Sequence, residues 1–329
     1  MIDLKKVVIK EKKVDTILTK SNLPIAGYSI NPYVGCPFGC EYCYATFMKR
    51  FTGHKEDWGM FLDVKMWDKI KNPEKYKGKT MIVGSVTDGY NYFEAKYKRT
   101  RAFLEEMQGS GINLIITTKS NLVTRDIDLI KTYPNPLVAW SINTLDEEFK
   151  KDMDSAPTIK SRIEAMKQVH DAGIRTTCFI SPIFPGITDV FTIIEKIKDF
   201  CDYIWLENLN LRGTFKPTII NYIKDFQKGA LDYVYKATQQ HIHTENNKSL
   251  YMPLMKFGMY PTLSQTKIFR FFYTTDGKKT YFLPQKNVFC YSPKEFFLAL
   301  SNSMWKTGFM KEAFKIPFPY YWIYKFIRR

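Results

Sequence analysis

No stretch of this 329-residue chain reaches 18 consecutive apolar residues, so no segment of it is expected to cross a bilayer. An apolar leader is missing too. The opening MIDLKKVVIKEKKVD is charged throughout, and the expected location is the cytoplasm. Cysteine is scarce, six in all, which is too few for a disulfide framework in a chain of this length. Histidine is scarcer, with only His54, His170, His241 and His243. The last two share one side of an extended HIH, but two imidazoles alone do not make up a metal site. Gly/Ser linkers, low-complexity tracts and internal repeats other than strand–helix units are also missing.

Acidic residues are outnumbered, 33 against 49 Lys and Arg, for a net charge of +16. The imbalance is local. Residues 211–329 hold 19 Lys and Arg against 6 Asp and Glu, while residues 1–210 hold 30 against 27. The same last third contains 27 of the 52 Phe, Tyr and Trp residues. Cations interleaved with aromatics suit phosphate attraction plus base stacking, so this extension is a candidate nucleic-acid surface. An aromatic cap with a solvated basic face, or a membrane-surface patch at FPYYWIYKFIRR, would share that composition.

Apolar strand-like runs alternate with helical patterns, which predicts a parallel sheet covered by helices. Strands are expected at 27–32, 81–86, 112–118, 137–142, 175–181 and 203–208. Helices are expected at 41–51, 95–108, 124–131, 159–172, 190–200 and 217–238. Six such units make an α/β fold of the partial (β/α)6 barrel type, whose functional groups collect at the C-terminal ends of the strands. The expected segments are an N-terminal extension over 1–26, a core over 27–212 and an α+β extension over 213–329. A DG turn inside 267–284 predicts a hairpin there.

What is present, against this background, is a cysteine triplet. Cys36, Cys40 and Cys43 stand in NPYVGCPFGCEYCYA. Three thiolates can hold three irons of a 4Fe-4S cubane and leave the fourth open, whereas clusters that only carry electrons use four. Gly35 and Gly39 let the loop wrap such a group. A zinc site with His54 as fourth ligand is the alternative, although zinc sites ordinarily pair two short cysteine hooks. Cys178, Cys201 and Cys290 are distant and isolated.

The triplet, with Tyr42 before its third cysteine, resembles the radical S-adenosylmethionine (radical SAM) superfamily. The stretches GSVTDGYNYFEAKYKRTRAFLE, TTKSNLVTRDIDLI, SINTLDEEF and SAPTIKSRIEAMKQVHDAGIRTTCFISPIFPGITD extend the resemblance from about Asn31 to Arg212. They narrow it to the spore photoproduct lyase-like branch. The resemblance implies one 4Fe-4S cluster whose open iron chelates SAM, reductive cleavage to a 5′-deoxyadenosyl radical, and an electron donor such as flavodoxin or ferredoxin. By position, Ser85, Thr87 and Asp88 would accept the SAM amine. Ser141 and Arg162 would serve ribose and carboxylate, with Lys119 a second carboxylate partner. Ser181 and Asn208 would contact ribose and adenine, and Tyr42 would lie near the adenine. True spore photoproduct lyases carry a hydrogen-donor cysteine just before the serine matching Ser141; here that residue is Trp140, which argues against repair of the spore lesion. Cys178 alternates away from Ser181 and is a poor substitute donor. The favoured substrate is a nucleic acid or nucleotide. A peptide-modifying radical enzyme and a non-catalytic iron–sulfur or zinc nucleic-acid-binding protein are the alternatives.

Overall fold

Runs rich in Val and Ile set the strands, because branched side chains pack well on a pleated surface. The computed structural model describes residues 2–23, 25–184, 187–209 and 215–226, together with 270–271. The chain divides into two compact units: Met1–Ile180, Asp189–Cys201 and Leu211–Ile219 form the first, and Ser181–Thr188, Asp202–Asn210 and Ile220–Arg329 the second.

The chain order is β1 (Val8–Val14), β2 (Leu18–Lys20), β3 (Tyr28–Ile30), β4 (Tyr33–Val34), β5 (Phe61–Trp67), β6 (Thr80–Val83), α1 (Glu94–Tyr97), α2 (Arg99–Met107), β7 (Asn113–Thr118), α3 (Ile127–Ile130), β8 (Leu137–Ser141), α4 (Glu147–Met153), α5 (Ile159–Asp171), β9 (Arg175–Ile183), α6 (Val190–Ile197), β10 (Tyr203–Asn208), α7 (Lys216–Phe226) and β11 (Arg270–Phe271). In the first unit β3, β6, β7, β8 and β9 run parallel in that spatial order, with β2 antiparallel on the free edge of β3. This is the α/β, open parallel-sheet fold of a partial barrel, and each of the six expected strands is present. β9 runs on into the second unit. There Leu209 N donates to Ile183 O at 3.2 Å, and β10 pairs antiparallel with β11. Among the described residues, no helix is long and apolar enough to cross a membrane.

A second, three-stranded sheet in the order β1–β5–β4 was not expected. Its β1 reads VIKEKKV and has half-buried or exposed residues throughout, so it lacks the apolar signature of a strand. Its core is Val7, Tyr33, Leu62 and Val64. Two expected helices also differ. Residues 44–51 form a 3-10 segment. The helix expected over 95–108 breaks at Lys98, which takes φ 50°, because the buried Glu94 carboxylate turns back to cap α2. It accepts from Thr100 N at 3.0 Å and Arg101 N at 3.2 Å. The expected hairpin at 267–284 and the helix beyond 226 lie outside the described residues, apart from 270–271.

Alternation gives the sheet of the first unit two unlike faces. On β7, Leu114, Ile116 and Thr118 are buried, while Asn113, Ile115 and Thr117 are only half-buried. Strand register carries this outward: Thr117 pairs with Ala139 and Ser141 with Phe179 on the less buried face, whereas Trp140 pairs with Cys178 on the more buried one.

Candidate active site

The cysteine loop follows β4 and is held in shape by glycine. Gly35 takes φ 88°, and a Cβ there would stand 2.4 Å from Phe61 O. Its carbonyl accepts from Thr87 Oγ1 at 2.6 Å. Two tight turns follow, Gly39 N to Cys36 O and Cys43 N to Cys40 O, each 3.0 Å. Gly35→Ala is therefore expected to destabilise the metal-free chain by at least ~1–3 kcal/mol. Gly53→Ala, at φ 72° but with nothing within 4 Å, should cost less in the same urea titration; equal costs would show that the Phe61 contact is immaterial.

The end of α4 closes on the loop. Ser155 N donates to Phe38 O at 2.7 Å and Glu41 N to Met153 O at 2.9 Å. Tyr42 Oη donates to Asp154 Oδ2 at 3.2 Å. Cys36, Phe38 and Ala156 form a buried apolar cluster against which Cys40 and Trp58 pack. Burial pushes all three thiols up, Cys36 and Cys40 further through the negative charges of Asp88 and Asp154 respectively. The thiols also raise one another: Cys43 acts on Cys36, and both act on Cys40.

Asp154 is the hub that sequence reading missed. Its Oδ1 lies 2.8 Å from Arg162 Nη2 and 3.5 Å from Lys150 Nζ, and its Oδ2 lies 4.0 Å from Lys119 Nζ. Burial opposes its charge, but Arg162, Lys119 and Lys150 outweigh that, so the carboxyl is held below its ordinary range. Burial in turn lowers Lys150. Arg162 is fully enclosed; besides Asp154 it serves Ser141 O at 3.2 Å and Pro157 O at 2.9 Å. Lys119 keeps some exposure, with its ammonium 5.4 Å from the centre of the Tyr42 ring.

The loop after β6 supplies the remaining groups. Asp88 Oδ1 accepts from Tyr90 N at 2.9 Å and Thr118 Oγ1 at 2.8 Å, and Oδ2 from Lys119 N at 2.7 Å. Burial nevertheless leaves its carboxyl raised. Ser85 Oγ accepts from Asn31 Nδ2 at 2.9 Å, and Asn31 Oδ1 accepts from Val86 N at 3.1 Å. Thus Cys36, Cys40, Cys43, Tyr42, Thr87, Asp88, Lys119 and Arg162 join one connected set. Ser85 adjoins it through the loop after β6, and Ser141 through its carbonyl. Ser181 and Asn208 fall in the second unit, where Ser181 Oγ donates to Glu207 Oε2 at 2.9 Å.

Two residues stand apart from the site. Trp140 is fully buried on the opposite face from Ser141, with Nε1 donating to Ser120 O at 3.1 Å. His54 does not join the cysteines: Nδ1 meets Glu56 Oε2 and Nε2 meets Asp63 Oδ1, both at 2.9 Å. Among the described residues no three His, Cys, Asp or Glu side chains converge on one metal ion. A cubane makes no such demand, since each thiolate takes a separate iron.

An α/β partial barrel with three unpaired cysteines in one clamped loop defines a class, and the chain belongs to it. Residues 30–199 match the radical SAM superfamily, and the protein is a member of that superfamily. It is 38% identical over 209 residues to an uncharacterized protein of Methanocaldococcus jannaschii, covering 63% of this chain and 78% of that one. It is 25% identical over 174 residues, 50% of this chain and 36% of the other, to the radical SAM Nalpha-GlyT isomerase of Pseudomonas phage M6. Spore photoproduct lyase with bound AdoMet and dinucleoside spore photoproduct aligns with TM-score 0.47 and 16% identity, over 58% of this chain and 57% of that one. Membership implies a 4Fe-4S cluster and SAM. The donor set fits them: three thiols in one glycine-shaped loop, and a buried Trp58 N–H without an acceptor packed against that loop.

Proposed function

We propose that the protein is a radical SAM enzyme whose cluster is held by Cys36, Cys40 and Cys43. The observation that carries this is the loop itself, pinned by Thr87 on one side and residues 153–155 on the other. When bound, cluster and SAM together supply a 5′-deoxyadenosyl radical for hydrogen abstraction. The chain's residues prepare that event by position. Phe38, Ala156 and Trp58 keep water from the thiolates. Ser85 is the half-buried acceptor for the SAM amine, and Asp88, with three of about four acceptor positions already filled, adds the last.

For the SAM carboxylate the two cations are unequal. Arg162 is fully enclosed and commits all three of its nitrogens to Asp154, Ser141 O and Pro157 O, so its role is to hold Asp154. Lys119, tethered more loosely at 4.0 Å, is the carboxylate partner. Lys119→Met is expected to weaken SAM binding by about 1.5–3 kcal/mol, the worth of a charged hydrogen bond, in equilibrium dialysis of the reconstituted protein. Unchanged affinity would remove Lys119 from this role.

The favoured substrate is a nucleic acid or nucleotide, supported by the basic, aromatic composition of residues 211–329. Anaerobic reconstituted protein supplied with reductant and SAM should release 5′-deoxyadenosine; none from a fully loaded chain would refute the enzymatic reading. Binding of single-stranded DNA or RNA should fall steeply as salt rises, and a flat response would refute the substrate class.

A further inference from the structure

Five buried side-chain polar atoms lack a hydrogen-bond partner among the described residues: Trp58 Nε1, Tyr90 Oη, Ser110 Oγ, Asn143 Nδ2 and Thr177 Oγ1. A buried donor left unmatched costs about 1–3 kcal/mol, so each calls for a physical reason. Trp58 is the one that packs against the cysteine loop, beside Cys36, Phe38, Cys40 and Ala156. Its buried indole N–H is therefore an unmatched donor packed against that loop.

The indole is held there by an ordered stack. Its ring meets Phe61 edge to face at 5.7 Å and 83°. Phe61 in turn lies flat on His54 at 4.3 Å and 15°. His54 is fixed at both nitrogens by Glu56 and Asp63 at 2.9 Å, and Asp63 is fixed by Lys12 at 2.6 Å. An exposed, rotating indole would need no such scaffold. A neutral thiol is a weak acceptor, whereas an iron-bound thiolate is a charged one and completes the bond.

Resting on the cluster assignment above, we propose that Trp58 is a positioning residue for the cluster's reduction: its indole N–H donates to a thiolate of the cysteine loop and holds the reduction potential higher than the same loop would give without it. The sign follows from charge. Adding one electron makes the cluster and its thiolates more negative, and a donor aimed at a thiolate stabilises that state more than the oxidised one. The apolar wall of Phe38 and Ala156 acts in the opposite direction, because low polarity disfavours added charge. Trp58 offsets that wall at a single sulfur.

Trp58→Phe keeps an aromatic ring against Phe61 and removes the N–H. In reconstituted protein with full iron content, redox titration followed by EPR should show the midpoint moving to more negative potential, by about tenfold in the one-electron equilibrium, or ~59 mV. An unchanged or more positive midpoint overturns the proposal. A second measurement uses the unmutated chain. With indole-15N tryptophan, pulsed EPR of the reduced cluster should show a 15N coupling, and its absence overturns the proposal even where Trp58→Phe fails to load iron. A loaded chain without the coupling refutes this inference alone, whereas a chain that cannot be loaded refutes the cluster assignment and this inference with it.

Discussion

Cys40→Ala is expected to abolish release of 5′-deoxyadenosine from SAM in the reconstituted chain. Removing an outer partner of a metal ligand typically lowers metal affinity or activity by about 10–100-fold, and removing one of three thiolates takes away a direct bond to iron. Among the described residues the loop contains no fourth cysteine, and Cys178 lies on the buried face of β9, paired with Trp140. Iron content and product should fall together, read by colorimetric iron assay and by chromatography of the nucleoside. Cys178→Ala is the control, for it removes a fully buried thiol outside the loop and should leave both quantities near wild type. Persistence of product in Cys40→Ala, or equal losses in the control, would sink the three-cysteine assignment.

Asp154→Ala is expected to destabilise the chain by about 3–5 kcal/mol, the usual consequence of leaving buried cations without their counter-charge. Arg162 is fully enclosed and Lys150 nearly so, and neither can turn to water. Urea unfolding of the metal-free protein measures the difference. The pH dependence has a definite sign. Asp154 is held below its ordinary range, so its stabilising contribution is complete above the unfolded carboxyl value near ~3.9. It is lost as pH falls through the lower, folded value. The gap between wild type and Asp154→Ala should therefore be constant from pH 5 upward and narrow below about pH 4. A gap that widens on acidification would contradict the ion-pair account.

The fold was largely legible because the strands of a helix-covered parallel sheet read as apolar runs. INLIITT became β7, and MIVGSV became β6 until Gly84, where a φ of 89° ends the strand. TIKSRIEAMKQVHDAG became α5, with Thr158 Oγ1 accepting from Ser161 N at 3.2 Å at its start and Gly173 at φ 80° as its stop. Asp189 caps α6, accepting from Thr192 N at 3.0 Å. β1 and β5 escaped because their pairing is tertiary: Lys10 sits opposite Asp63, which no local pattern announces. The cysteine triplet was legible as spacing. Asp154 was not, since nothing local separates it from the exposed Asp152 two residues earlier. Only the docking of α4 against the loop buries one and leaves the other in water. The same holds for Arg162, whose enclosure and ion pair with Asp154 no local pattern announces.

The lacing of the cysteine loop to residues 153–155 carries a consequence for biosynthesis. Tyr42 and Asp154 are 112 positions apart and Ile2 and Ser155 are 153 apart, so closing these contacts demands a long search through chain entropy. On the ribosome, the three cysteines emerge more than a hundred residues before the segment that shapes them. Until that segment arrives they are an unstructured thiol tract, open to oxidation and to stray metal ions. A cluster held by these cysteines, as proposed above, would find its cradle only once α4 is complete, and a nascent chain stalled before that point would present the thiols without it.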